Sequence, residues 1–279
     1  MLLLLLKVSA ITSGATVIDR VIATTFHGFM DSGRTSPAKF SCVGRESVQV
    51  DEYVVKLRGG LDMRERGLVY ELYASMLGAY LGLSCPRPVI VLIEEDLTEA
   101  IVEELDGDER KVQIVRDSVG LNFGTQLLTN LSPWPVEKPI PRILQTAAIK
   151  VYAFDALIRN PDRRFDNPNL GSRNDDLFVF DHEAAFSFLF EIFPSRKPWI
   201  LATEDHLEKH VFARALSRVP FPVDFLHLLS GLSEEVTTYF SDQIPSTWKS
   251  DDLPRIESHL ALMSEHSAEF AEEVTRRLA

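Results

Sequence analysis

Asn160-Pro161-Asp162-Arg163-Arg164-Phe165-Asp166-Asn167-Pro168-Asn169-Leu170 crowds polar side chains into a short run, followed after a polar turn by the apolar Leu177-Phe178-Val179-Phe180-Asp181. An apolar helical pattern leads into it, with Ala147, Ile149, Val151, Phe154 and Ile158 interleaved with few charges. Asn160-Pro161 ends that pattern, because a residue before proline is pushed out of the helical region. Asp162 and Asn167 stand five positions apart on the loop, and Asp181 closes the strand that follows. One carboxylate to orient an attacking hydroxyl and two oxygen donors for a hard cation are what phosphoryl transfer requires. Taken singly, Asp162-Arg163 also reads as a helix-end ion pair and Asn167-Pro168-Asn169 as turn chemistry. A loop needing only turn residues has no reason to set an Asp, an Asn five later and a strand-end Asp in that order after a core helix.

Upstream, the β-branched stretch 17–25 predicts a strand, and Ala38-Lys39-Phe40-Ser41-Cys42 predicts a second. Between them runs His27 to Pro37, rich in small residues that let backbone N–H groups approach an anion. Judged alone, that loop reads rather as an ordinary hairpin turn, and it matches neither the Walker nor the G-x-G-x-x-G pattern. Tyr53-Val54-Val55-Lys56-Leu57 is a third strand, with Val54 and Lys56 on one face. Lys56 is there either to reach phosphate oxygens or as an edge-strand lysine facing water. Arg58-Gly59-Gly60 reads as a flexible exit. Leu68, Leu72, Met76 and Tyr80 predict a helix over 64–81, stopped by Gly82. Glu71 lies beside this stripe, as a partner for Lys56 or as a solvated boundary residue.

The segment 94–111 is acidic and is expected to be a solvated face or insertion without catalytic role. Apolar character returns over 114–128, and the proline-rich 132–141 marks a boundary between lobes. After Asp181, Phe186, Phe188, Phe190 and Phe193 read as packing residues rather than a recognition surface. The remainder, 203–279, is helical in outline, with breaks at Pro220, Pro222 and around Pro245 and a helix start in Ser230-Gly231-Leu232-Ser233-Glu234-Glu235. His206 and His210 are spaced to share a helical face, but no carboxylates join them to make a metal site.

Composition sets bounds. The 279 residues are 45% hydrophobic and 25% charged, as in ordinary globular proteins. The net charge of -12 argues against a broad nucleic-acid surface, so no direct nucleic-acid binding is expected. Cys42 and Cys85 are the sole cysteines, which gives no disulfide framework and suits the cytoplasm. Met1-Leu2-Leu3-Leu4-Leu5-Leu6 lacks a preceding basic residue and is interrupted by Lys7, so a covering strand or docking segment is expected there rather than a signal peptide. No run approaches the roughly 20 apolar residues of a spanning helix, so no membrane association is expected.

The ordered set of small-residue loop, strand lysine, helix glutamate, Asp162 with Asn167, and strand-end Asp181 resembles the HipA-like kinases, closest to a compact bacterial branch. That family's catalytic loop reads N-x-D-R-x-x-x-N, often extended by P-N-L, and Asn160 to Leu170 is similar to it throughout. Phe154-Asp155-Ala156-Leu157-Ile158 resembles the family's preceding helix and Phe180-Asp181-His182 its metal-binding strand end. Gly120-Leu121-Asn122-Phe123-Gly124 resembles the segment joining the lobes. The likeness spans roughly residues 17 to 215 and is strongest around 154–185.

The resemblance implies an α+β, bilobal, protein-kinase-like fold. An N-terminal lobe, 1–130, would hold an antiparallel sheet with one helix, and a mostly helical C-terminal lobe, 131–279, the catalytic loop. It implies ATP- and Mg²⁺-dependent phosphorylation of Ser/Thr in a protein substrate. Asp162 would orient the substrate hydroxyl and accept its proton. Asn167 and Asp181 would hold Mg²⁺. Lys56, fixed by Glu71, would contact the α/β-phosphates, and Ser32, Gly33, Arg34, Thr35 and Ser36 would cover the triphosphate. Full-length relatives include toxins held by a DNA-binding antitoxin, which implies an antitoxin-like partner, and they are inhibited by autophosphorylation in the phosphate loop, for which Ser32, Thr35 and Ser36 are the candidates. The chain departs from the pattern at Arg164, where many relatives have His, and at Glu183, where the compact branch has Gly. It is also expected to lack the extra N-terminal subdomain of the full-length toxins. Alternative readings are a nucleotide-binding pseudokinase or scaffold module, and a kinase for small molecules or lipids.

Overall fold

The structure is a computed structural model, and it describes residues 17–30, 34–44, 49–105, 107–135, 139–193, 195–202 and 204–279. The leading Met1 to Leu6 segment and the loop residues Ser32 and Gly33 lie outside the described residues. By internal packing the described residues fall into two units, one drawn from Met1–Asp62 and Pro88–Leu127, the other from Met63–Arg87 and Leu128–Ala279.

The first unit is built on strands β1 (Asp19–Phe29), β2 (Ala38–Gly44), β3 (Val50–Lys56), β4 (Pro88–Ile93) and β5 (Gly120–Gln126). They close into a barrel in the order β1-β2-β3-β5-β4. The antiparallel sheet expected from the sequence is corrected in one respect: β1 pairs with β4 in parallel, Asp19 opposite Val89 through Ile22 opposite Leu92. That pairing gives each of the five strands two neighbours and closes the sheet on itself. Register shifts between Ala23 and Thr25 and between Phe26 and Gly28 bend β1 as it leaves this pairing to follow β2. Val21, Ala23, Phe40, Cys42, Val55, Val89 and Val91 fill the core. Gly124 is needed where β5 crosses that core, because a Cβ there would lie 2.7 Å from Val91 Cγ2.

The acidic segment is not a bare solvated face. It forms α2, which follows in chain order the longer helix described below, at Glu95–Glu104, and α3 at Glu109–Arg116. Ile101, Ile114 and Val115 join the barrel core while the glutamates of α2 face outward. Among its described residues the unit thus carries two α-helices, neither of them the helix expected over 64–81. Arg58-Gly59-Gly60 is likewise not a flexible exit but a tied-down 3₁₀ turn. The Arg58 N–H donates to Asn122 Oδ1 at 2.8 Å and the Gly59 N–H to Ser118 Oγ at 2.9 Å. A Cβ on Gly60 would lie 2.3 Å from the Thr35 carbonyl oxygen, so only glycine permits this approach.

The helix expected over 64–81 is α1 (Glu65–Tyr80), and its packing is with the second unit. It is buried continuously from Gly67 to Gly78 rather than along one stripe. Helix α4 (Gln145–Leu157) is buried almost as completely from Ala148 onward. Helices apolar on every face belong in a core. The two meet at Gly78, where a Cβ would stand 3.1 Å from Cys85 Sγ and 3.3 Å from Phe154. Strands β6 (Ser132–Pro133), β7 (Leu170–Arg173) and β8 (Asp176–Val179) make a small sheet. The Val179 N–H donates to the Ser84 carbonyl at 3.0 Å, which seats the end of β8 against the chain leaving α1.

Helices α5 (Val223–Ser230), α6 (Glu234–Gln243), α7 (Asp252–Glu265) and α8 (Ser267–Leu278) complete the unit. The breaks at Pro222 and Pro245 and the start at Ser233 hold, but the described residues between 204 and 222 are 3₁₀ turn and irregular chain. The aromatic run divides. Phe186 and Phe188 are buried, Phe186 edge-on to Tyr70 and Tyr73, whereas Phe190 and Phe193 are exposed, Phe193 at 91%. Among the described residues no helix is long and apolar enough to cross a membrane.

Candidate active site

Helix α4 ends at Leu157, and Arg159 in the left-handed region (φ 46°) turns the chain into the Asn160–Asn169 loop. Within the loop, Asn167 Nδ2 donates to Asp162 Oδ2 at 2.7 Å, and Asn169 Nδ2 approaches the same oxygen at 3.4 Å. A carboxylate only accepts, so these contacts fix which way the Asn167 amide faces and leave its Oδ1 as an acceptor. The backbone of Arg164 and Asn167 pairs in both directions, at 3.1 and 3.2 Å. Asn169 takes φ 46°, a conformation asparagine tolerates.

Beneath the loop lies a buried ionic group that the sequence reading did not identify. Asp155, fully buried on α4, accepts from Arg163 Nε at 2.5 Å and from His210 Nε2 at 3.0 Å on one oxygen, and from Asn160 Nδ2 at 3.0 Å on the other. Asn160 Oδ1 in turn accepts the Asp162 N–H at 3.1 Å. Arg163 Nη1 donates to the carbonyls of Asn169, at 2.7 Å, and Phe180, at 3.2 Å. One guanidinium thus joins α4, the loop and the residue before Asp181. The ion pair of Arg163 is with Asp155, not with Asp162 beside it.

Burial alone would push the Asp155 carboxyl up. The Arg163 guanidinium and the His210 hydrogen bond together outweigh it and hold the group well below the usual carboxylate range. Burial moves His210 the other way, down toward the neutral form, against the pull of Asp155. The neutral tautomer follows from geometry: Nδ1 accepts the Phe212 N–H at 3.1 Å, so the proton is on Nε2, toward Asp155. With both ring nitrogens engaged, His210 is no metal ligand. His206 lies within the 3₁₀ turn and His210 beyond it, so the two do not share an α-helical face, and Nδ1 of His206 lies 3.4 Å from Glu204. Among the described residues no group of three His, Cys, Asp or Glu is arranged to hold a metal.

Asp181 follows β8 in the left-handed region at φ 62°, partly exposed. The next N–H, of His182, donates to Glu71 Oε2 at 2.9 Å. Glu71 is 1% exposed, so it is not a solvated boundary residue, and it holds the chain immediately after Asp181. Glu183, where the compact branch has glycine, is buried. Arg164, where many relatives have histidine, reaches Asp166 with Nη2 at 3.2 Å, away from Asp162.

In the first unit, Lys56 ends β3 opposite Phe123 of β5 and is 9% exposed. Because β3 pairs with both β2 and β5, the edge-strand reading of Lys56 is overturned. Arg34 is paired with Asp62 at 2.5 Å, Thr35 is buried, and Ser36 takes φ 52°.

Sequence spacing brought out Asp162 and Asn167 on one loop and Asp181 just past the β7–β8 hairpin that follows it. Asp155 stands out in the sequence only within the family pattern, and His210 only by its spacing from His206. No local signal ties His210 to a carboxylate 55 positions earlier.

A family model described as HipA-like kinase matches residues 23–273 of the chain. No curated protein matches the sequence. Among solved structures the chain is similar to the Helicobacter pylori proinflammatory kinase CtkA, at 12% identity and a TM-score of 0.46, over 94% of this chain and 97% of that one.

Proposed function

Because the chain belongs to the HipA-like kinase family, we propose that it transfers the γ-phosphoryl group of ATP to a Ser or Thr hydroxyl of a protein substrate. The observation that carries the reading is the Asp162 carboxylate, gripped by Asn167 and backed through Asn160 by the buried Asp155. A carboxylate held in one orientation beside a solvent-facing loop is suited to accept a hydrogen bond from an attacking hydroxyl. The new oxygen–phosphorus bond forms as the bond from the γ-phosphorus to the bridging oxygen breaks, ADP departs, and the hydroxyl proton passes to Asp162.

Asn167 Oδ1 and the Asp181 carboxylate are hard oxygen donors of the type Mg²⁺ takes, and Mg²⁺ held there would neutralise charge on the phosphates. Glu71 supports Asp181 by holding the His182 amide. Lys56 would supply a point charge to phosphate oxygens, and Arg34, Thr35 and Ser36, together with Ser32 and Gly33, would form the phosphate loop.

The test is incubation with labelled ATP and Mg²⁺ of the wild type, Asp162→Ala and Asp181→Ala. Label on the protein itself or on a protein of a cell lysate, absent with both variants, is the expected result. Label confined to small molecules or lipids would move the assignment to those substrates. Nucleotide binding without any transfer would replace it with a binding or scaffold role, the reading that the buried Glu183 near Asp181 favours.

A further inference from the structure

We infer that His210 is a positioning residue for phosphoryl transfer: it holds the buried Asp155 carboxylate from the far side and so fixes the orientation of Asp162. The inference rests on the phosphotransferase reading above and assigns to it a residue outside the catalytic-loop motif.

The connection runs through named atoms. His210 Nε2–H donates to Asp155 Oδ2. The other oxygen of Asp155 accepts from Asn160, whose own oxygen accepts the Asp162 N–H. Arg163, sharing Asp155 Oδ2 with His210, reaches the Asn169 and Phe180 carbonyls, and Asn169 returns to Asp162 Oδ2. The Asp162 backbone and side chain are thus both linked to the carboxylate that His210 holds. The histidine is itself fixed. Its Nδ1 accepts the Phe212 N–H, the Tyr152 ring meets it edge-on at 4.9 Å, and the Val211 N–H donates to the Arg163 carbonyl at 3.1 Å. That Val211 bond belongs to an antiparallel bridge between Arg164 and His210, which ties this segment to the loop.

Two features distinguish this from packing alone. Asp155 already has Arg163 as its counter-ion, so a neutral imidazole adds direction rather than charge. A donor is also required: an apolar residue of the same volume would fill the space and leave Oδ2 held by Arg163 only. Partners of this kind that orient an acting group typically change activity by 10–100-fold when removed.

The experiment compares wild type, His210→Leu, His210→Gln and Asp162→Ala in steady-state phosphotransfer with saturating and limiting ATP, each with its unfolding midpoint. His210→Leu should lower kcat about 10–100-fold with KM for ATP within about twofold, since the group acts on the reacting geometry and not on nucleotide binding. His210→Gln, which keeps an N–H donor, should recover most of kcat. Independently of activity, nitrogen NMR of the histidines should find His210 neutral with its proton on Nε2. Full kcat in His210→Leu, equal loss in His210→Gln and His210→Leu, or a proton on Nδ1 would overturn the inference. Wild-type transfer insensitive to Asp162→Ala would instead overturn the phosphotransferase reading, while the NMR result would still report the tautomer.

Discussion

Asp155 and Arg163 form a charge pair closed off from solvent. The Asp155 carboxylate and the Arg163 guanidinium are both fully buried, 2.5 Å apart, and removing either partner leaves the other charge without compensation. Such a loss typically costs about 3–5 kcal/mol, whereas replacing both partners by apolar groups of like volume is often close to neutral. Asp155→Ala is therefore expected to lower stability by about 3–5 kcal/mol in chemical denaturation. The double variant Asp155→Leu/Arg163→Met should recover much of that while remaining inactive, because Asn160 and the Asn169 carbonyl lose their anchors. A single variant as stable as wild type would show that the pair contributes little. The loop residues were readable from sequence because their spacing is local. Their support was not, because a buried carboxylate must find donors but its local pattern does not say which.

At the scale of elements, the sequence predicted strands, helices and stops well where the signal was local. Helix α4 ends at Leu157, two residues before the Arg159 expected from the following Asn160-Pro161, and the third strand appeared with Lys56 at its end. It erred where an element's surroundings matter. Leu68, Leu72, Met76 and Tyr80 at helical spacing suggested one buried stripe on α1, but packing buries it on every side. The glutamates of α2 suggested a solvated insertion, but Ile101 and its neighbours give that helix a place in the barrel core. Strand β5 offers a test. Gly124→Val introduces a Cβ at 2.7 Å from Val91 Cγ2, into a barrel with no slack at that crossing. The expected cost is about 1–3 kcal/mol, from forced shifts in a packed core. A thermal midpoint unchanged from wild type would mean that β4 and β5 can move apart there.

For the whole molecule, acid is the informative perturbant. His259 is buried with its Nε2 donating to the Leu157 carbonyl at 2.8 Å, and burial pulls it down to about 4. Burial likewise pulls His206 down to about 4. Their unfolded values lie near 6.5, so the unfolded chain binds more protons than the folded one between about 6.5 and 4. Stability is then fully present above about pH 6.5 and falls as pH drops toward 4. Denaturant titrations across that range should follow this slope, and His259→Gln should flatten it. A profile level from pH 7 to 4 in the wild type would contradict the burial of both groups.

The order of the chemistry is written locally in the chain: an acid, an amide five residues on, and an acid just past the hairpin that follows. Local spacing, helix stops and turn residues encode that order without reference to the rest of the chain. The tertiary structure alone decided what supports it. Glu71 reaches across 111 positions to the His182 amide, His210 across 55 to Asp155, and β1 finds β4 as a parallel neighbour. These choices are made by packing. Buried polar groups must be paired and strand edges closed, and the partner is whichever group the fold brings within hydrogen-bond distance.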